Sequence, residues 1–180
     1  MVHLEKLEFE SMTNHDLDPI AAAVAHNEHY AQAHGAMDLP TEPSKHLAIV
    51  TCMDSRLDLF GALGLHLGEA HIIRNAGGIA TDDVVRSLIL SQRLLGTDRI
   101  MVIHHSRCGL EGLDEQALRA SIANDTGTES TVVFGGFTDV FADVRKTMDR
   151  LSSDPALQSV EVKGFVFDVD QGALLPVERS

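Results

Sequence analysis

A chain of 180 residues, 44% of them hydrophobic and 23% charged, suits one globular domain with a single hydrophobic core. Its formal net charge of -13 repels polyanions, and no cluster of Lys or Arg offsets this charge locally, which argues against nucleic acid and anionic membrane as partners. No stretch approaches the roughly 20 consecutive apolar residues of a membrane-spanning helix, and the first ten residues lack the layout of a signal peptide. We therefore expect a cytoplasmic protein.

The N-terminal part of the chain is predicted to contain one helix. Asp18 can cap this helix, and Pro19 fits its first position, where the missing N–H is harmless. Alanine-rich sequence follows, and Gly35 supplies a stop. Because we find no repeat and no Gly/Ser linker, we expect residues 1–180 to form a single catalytic domain, with residues 1–16 as a flexible or partner-embracing arm.

Three later segments are short apolar runs with many β-branched residues. They are residues 46–52, 70–74 and 99–104. Such runs are typical of strands that are buried on both faces of a parallel sheet.

Helices are predicted between and after these strands. The first begins at Thr81, which can cap it, and ends before Gly96. The second spans residues 139–151 and has an apolar side. That side consists of Val140, Phe141, Val144, Met148 and Leu151.

The end of the chain, residues 160–177, is predicted to form a strand, a turn near Gly172 and a returning edge strand. Alternating strands and helices indicate an α/β fold. We expect a mostly parallel central sheet flanked by helices, with right-handed crossovers and an antiparallel C-terminal edge strand.

Motifs rich in polar and sulfur-bearing side chains begin where each of the three buried strands ends. They are residues 52–56, residues 75–78 and residues 104–109. Because the carboxyl ends of parallel strands meet at one edge of a sheet, we expect these motifs to share one crevice.

Cys52, His105 and Cys108 are suitable ligands for one zinc ion, two as thiolates and one as neutral imidazole. Three protein ligands leave a fourth position for water, which is the pattern of a catalytic site. Two thiolates cancel the charge of the dication, so water at that position needs help to ionise. The alternative for Cys52 alone is a buried, inert thiol.

Asp54 and Arg56 are placed to give that help. Asp54 can accept a hydrogen bond from the reacting water, and Arg56 can hold Asp54 bidentately, which keeps it ionised and off the metal. The alternative is an ion pair with only a structural role.

The chain carries three motifs in order: Cys52-x-Asp54-x-Arg56, Arg74-Asn-Ala-Gly-Gly78 and His105-x-x-Cys108-Gly109. Their order and spacing, over about residues 44–109, resemble the β-class carbonic anhydrase family. The compact length resembles the short subgroup of that family, which also includes carbonyl sulfide and carbon disulfide hydrolases.

The resemblance implies an enzyme that hydrates CO2 reversibly by a zinc-hydroxide mechanism, with one zinc per chain. It implies Cys52, His105 and Cys108 as ligands, with Asp54 and Arg56 as the catalytic pair. Two further glycines, Gly77 and Gly78, would let the backbone approach substrate, although a plain strand-to-helix turn would also need glycine. The family also implies a homodimer at minimum, with apolar side chains of the partner lining the pocket.

One departure from the family leaves the substrate open. The family usually has Thr-Asp between the ligand His and Cys, where this chain has Ser106-Arg107. COS and CS2 are linear and apolar like CO2, so hydrolysis of either, with release of hydrogen sulfide, is the alternative reaction. A zinc- or bicarbonate-binding module without turnover is the third possibility.

Several other side chains have two interpretations. His26 and His29 could hold a second metal, although a solvated helix face is the simpler role, and His104 could relay protons or serve hydrogen bonding at the strand end. Tyr30 and Phe60 could line the pocket, with core packing as the expected role of Phe60.

Overall fold

The structure is a computed structural model that describes residues 18–35, 38–158 and 160–179. The predicted arm at residues 1–16 lies outside the described residues. The chain divides into a segment that ends at Leu39 and a compact unit that begins at Pro40.

The first segment contains helix α1 (Pro19–His34), as predicted. The backbone N–H of Ala21 donates to the side chain of Asp18 at 2.9 Å, and Gly35 ends the helix with a φ of 62°. No residue of α1 is buried within the described chain.

The second unit is a five-stranded sheet with helices. Its elements are β1 (Leu47–Cys52), α2 (Leu59–Leu63), β2 (Ala70–Asn75), a 3₁₀ turn (Ala76–Gly78), α3 (Asp82–Leu95), β3 (Arg99–His105), α4 (Glu115–Thr126), α5 (Val140–Ser153), β4 (Glu161–Asp168) and β5 (Ala173–Val177). The strand order is β2-β1-β3-β4-β5; the first four strands run parallel, and β5 is antiparallel to β4. The predicted α/β fold with an antiparallel C-terminal edge strand is confirmed.

Two helices were not among the predicted elements. Helix α2 is only five residues long, too short to display a period. Helix α4 is capped by Asp114 but buries no residue, so its sequence has no apolar face to reveal it. Strand β2 also differs from expectation, because it is only half-buried at the edge of the sheet instead of covered on both faces.

The core fills both faces of the sheet, and α5 packs closely on one of them. Gly164 of β4 allows this approach, since a Cβ there would lie 2.5 Å from a methyl carbon of Val144. Val144 is fully buried, and its predicted companions Met148 and Leu151 are buried as well. The prediction that Phe141 belongs to the same apolar side is wrong, because this side chain is 37% exposed.

No helix within the described ranges is both long and apolar enough to cross a membrane.

We predict that Val144→Ala lowers the free energy of unfolding by about 2–3 kcal/mol, because it removes buried methyl groups and leaves a cavity. Val133→Ala makes the same chemical change at a side chain that is 76% exposed, and should cost no more than about 0.5 kcal/mol. Urea denaturation of both variants checks the prediction. Equal losses would contradict the packing described for α5.

Candidate metal centre

The site lies at the carboxyl ends of β1, β2 and β3. Cys52, the last residue of β1, is in register with Asn75, the last residue of β2, and Thr51 is in register with Ile103 near the end of β3. The parallel sheet therefore brings the three motifs to one edge, as predicted.

The predicted ligands converge there. Cys52, His105 and Cys108 each offer one ligand atom, and these atoms lie within 4.8 Å of one another. All three residues are buried, and both cysteines are free thiols. Within the described ranges, no other group of three His, Cys, Asp or Glu residues comes together in this way.

The two cysteines differ in charge preference. Burial raises the pKa of the Cys52 thiol, but the adjacent His105 and the backbone N–H groups of Asp54 and Gly77 outweigh burial and lower this pKa to about 7. Burial and the neighbouring Cys52 instead raise the pKa of Cys108 to about 11. The cluster therefore accepts one negative charge readily and opposes a second unless a cation is present, which fits a site for a divalent metal.

The side chain of His105 is also oriented to bind a metal. Its Nδ1 lies 3.0 Å from the carbonyl oxygen of Ser106, which can only accept, so Nδ1 carries the proton. In the neutral ring, Nε2 is then the lone-pair nitrogen that a metal would take, and it is buried without a hydrogen-bond partner among the described residues. A backbone carbonyl that fixes the tautomer of a metal-ligating imidazole is a recurrent arrangement, so these residues fit zinc.

Asp54 and Arg56 form a bidentate pair beside the cluster. Arg56 Nε donates to Asp54 Oδ1 at 2.9 Å, and Nη2 donates to Oδ2 at 2.7 Å. The hydrogen bonds from Arg56 hold the pKa of the Asp54 carboxyl well below its usual range. Oδ2 lies 3.8 Å from His105 Nε2, so an ionised carboxylate is held next to the ligand set.

Arg74 holds the loop that carries the pair, a role that its sequence position alone did not indicate. Its guanidinium donates to the carbonyl oxygens of Cys52 at 2.9 Å and Asp54 at 2.6 Å, and to that of Leu57 at 3.3 Å. Because one guanidinium group binds three backbone carbonyls, it fixes the path of the loop from the first ligand to the start of α2.

The glycine turn after β2 packs directly against the ligand strand. Gly77 and Gly78 have φ values of 82° and 72°. A Cβ on Gly78 would lie 2.8 Å from the carbonyl carbon of Thr51 and 2.9 Å from the nitrogen of Cys52. Glycine is therefore required here by close backbone approach.

Arg107 turns away from the cluster. Its side chain makes an ion pair with Asp170 at the β4–β5 turn, and its φ is 54°. Its carbonyl oxygen accepts from Arg56 Nη2 at 3.0 Å. The backbone of Arg107 therefore supports the Asp54–Arg56 pair, while its side-chain charge is paired with Asp170.

The remaining candidates have simpler roles. His26 and His29 lie on the exposed surface of α1, and His104 hydrogen-bonds to the carbonyl oxygen of Gly78. The core role expected for Phe60 is wrong, because this side chain is 45% exposed beside the edge strand β2. Tyr30 is exposed on α1 and contacts its neighbour His34.

Comparisons with known proteins agree with this geometry. The family model described as carbonic anhydrase matches residues 47–127. β-Carbonic anhydrase 1 of Mycobacterium tuberculosis is 44% identical over 152 residues, which covers 84% of this chain and 93% of that protein. A carbon disulfide hydrolase of Acidithiobacillus thiooxidans is 30% identical over 154 residues, covering 74% of this chain and 77% of its own.

A similar solved structure is the carbonic anhydrase of Streptococcus mutans. It superposes with a TM-score of 0.85 at 38% identity, covering 90% of this chain and 99% of that one. The fold is therefore shared with enzymes.

We predict that Gly78→Ala lowers stability and zinc affinity by more than the backbone strain of a positive φ alone would explain. Gly64→Ala is the matched control, because Gly64 has a φ of 61° and open space around its Cβ position. The control should lose about 1–2 kcal/mol of stability from backbone strain. Gly78→Ala should lose more and should also bind zinc less tightly, as measured by chelator competition; unchanged zinc affinity in a folded Gly78→Ala protein would refute the close approach.

Proposed function

Because the chain belongs to the β-carbonic anhydrase family, we propose that it catalyses the reversible hydration of carbon dioxide to bicarbonate and a proton. Cys52, His105 and Cys108 would hold one zinc ion. Zinc supplies a Lewis acid that makes water a nucleophile near neutral pH.

The chain's own groups position the reactants in this proposal. Asp54 accepts a hydrogen bond from the reacting water and orients its lone pair toward the carbon of CO2. Arg56 keeps Asp54 ionised and holds both of its oxygens, so the carboxylate stays beside the ligand set instead of joining it. Gly77 and Gly78 bring backbone close to the place where the substrate oxygens would lie.

The Asp54–Arg56 pair is the observation that carries the proposal. A zinc site with only a structural role needs no ionised carboxylate clamped 3.8 Å from one of its ligands. The pair therefore favours catalysis over a zinc- or bicarbonate-binding module without turnover. Water exchange at the metal, followed across pH 6 to 9 in cobalt-substituted protein, would be absent in such a module.

Hydrolysis of COS or CS2 is the second candidate, supported by the carbon disulfide hydrolases among the relatives. Among relatives that match over more than two thirds of the chain, the 44% identity to β-carbonic anhydrase 1 exceeds the 29–36% identity to carbon disulfide hydrolases, which favours CO2. Stopped-flow CO2 hydration, measured beside hydrogen sulfide release from COS and CS2 on metal-quantified protein, decides between them. Efficient release of hydrogen sulfide with marginal CO2 hydration would reverse our assignment.

We also propose a homodimer formed through the open edge of β2. The strand has an apolar sequence but is only half-buried, and Phe60 and Leu90 are exposed on either side of it. An unpaired strand edge with apolar flanks is well suited to a second copy of the chain. Sedimentation equilibrium should give at least twice the chain mass, and a monomer at micromolar concentration would exclude the dimer.

A cytoplasmic location is proposed on chemical grounds. Cys52 and Cys108 are close, unpaired thiols that must stay reduced to bind metal, and the cytoplasm maintains that state. Fractionation of cells that express the tagged protein checks this.

We predict that Arg56→Ala retains zinc but lowers CO2 hydration about a hundredfold or more, because Asp54 loses both guanidinium hydrogen bonds and its free oxygen can close on the ligand set. Arg86→Ala removes an exposed ion pair with Asp83 and should keep normal turnover. Stopped-flow kinetics and metal analysis of both proteins are the measurements. Normal activity in Arg56→Ala would overturn the role given to the pair.

A further inference from the structure

One carboxylate is buried away from the cluster. Asp143 on α5 is 7% exposed and is the only buried carboxylic acid within the described part of the chain. Its Oδ2 lies 3.2 Å from Nδ1 of His104, which is itself 1% exposed. The two atoms are close but do not form a hydrogen bond, and neither has another partner among the described residues.

His104 connects this carboxylate to the glycine turn. Its Nε2 lies 3.1 Å from the carbonyl oxygen of Gly78, and because a carbonyl only accepts, Nε2 must donate. Both ring nitrogens therefore face oxygen atoms. The imidazole is a fixed bridge between α5 and the turn after β2.

The turn in question contacts the ligand Cys52. Gly78 lies so close to the backbone of Thr51 and Cys52 that a Cβ on it would be 2.9 Å from the nitrogen of Cys52. A shift of Gly78 would therefore change the position of the Cys52 backbone, and with it the position of the sulfur.

Stability alone explains the pair poorly. A buried ionisable pair loses about as much in desolvation as it gains in attraction, and an apolar replacement is often neutral or stabilising. Groups that orient metal ligands from behind, by contrast, typically change metal affinity or activity about 10–100-fold when they are removed.

We propose that Asp143 and His104 are positioning residues that hold the Gly77–Gly78 turn against the backbone of Cys52. They would thereby fix the position from which the Cys52 sulfur binds a metal. The proposal rests on the zinc site described under the proposed function.

The test uses His104→Leu, which removes the bridge, and His104→Gln, whose amide can still donate to the Gly78 carbonyl. Asp143→Asn replaces the carboxyl group behind the ring with an amide. Asp149→Asn is the matched control, since it makes the same change on α5 at an exposed residue paired with Arg179. Zinc competition against a chelator, the ¹H–¹⁵N shift of the Gly77 amide and the stopped-flow kinetics are measured on each full-length protein.

In zinc-loaded His104→Leu, the Gly77 amide resonance should shift because the turn moves, and zinc affinity should fall about 10–100-fold. His104→Gln should recover most of both, Asp143→Asn should show a smaller change in the same direction, and the control should match wild type. Turnover should fall through kcat more than through KM, because the effect acts through the metal.

A Gly77 amide that stays in place, with zinc affinity within about twofold of wild type in folded Asp143→Asn and His104→Leu, would overturn the proposal even if stability falls. If His104→Leu does not fold, Asp143→Asn decides the outcome by the same two readouts. Zinc affinity and amide shift do not depend on turnover, so a wild-type protein without CO2 hydration would refute the proposed function while leaving this inference to its own test.

Discussion

Two sulfurs and an imidazole nitrogen are held within 4.8 Å of one another in a buried site. Bringing these groups together away from water is unfavourable, and the surrounding structure compensates for it. Burial opposes charge on both thiols, yet a metal needs both as thiolates. His105 and backbone N–H groups lower the pKa of Cys52 and so favour its charge, whereas burial and Cys52 raise the pKa of Cys108, which keeps it protonated until a cation arrives. The site is thus prepared for a dication and unfavourable without one.

The cluster is supported mainly by backbone loops, and arginine side chains hold these loops in place. Arg74 donates hydrogen bonds to three carbonyl oxygens between the end of β1 and the start of α2. Arg56 donates to the carbonyl oxygen of Arg107 as well as to the carboxylate of Asp54. Both guanidiniums use several donors at once, which restricts the loops more than single contacts would. Precise ligand positions follow from this framework even though the ligands come from separate loops.

Much of this was predictable from the sequence. The strands around Cys52 and His105 are nearly continuous apolar runs, and the parallel sheet they imply already brings the motifs to one edge. Helix α4 was missed because it buries nothing, and β2 was expected to be fully covered because an apolar run does not reveal whether a neighbouring strand is present. Contacts such as Arg74 to the loop carbonyls depend on three-dimensional register, which motif spacing does not encode.

The same charge balance bears on substrate choice. Two thiolates and a neutral imidazole would cancel a dication, and the Asp54–Arg56 pair is neutral as a unit, so the site exerts little net pull on an anion. It suits neutral, linear molecules, and CO2, COS and CS2 are all of that kind. We therefore expect selection among them to depend on apolar side chains beside the glycine turn, such as Leu110, whose methyl carbon would lie 2.8 Å from a Cβ on Gly77.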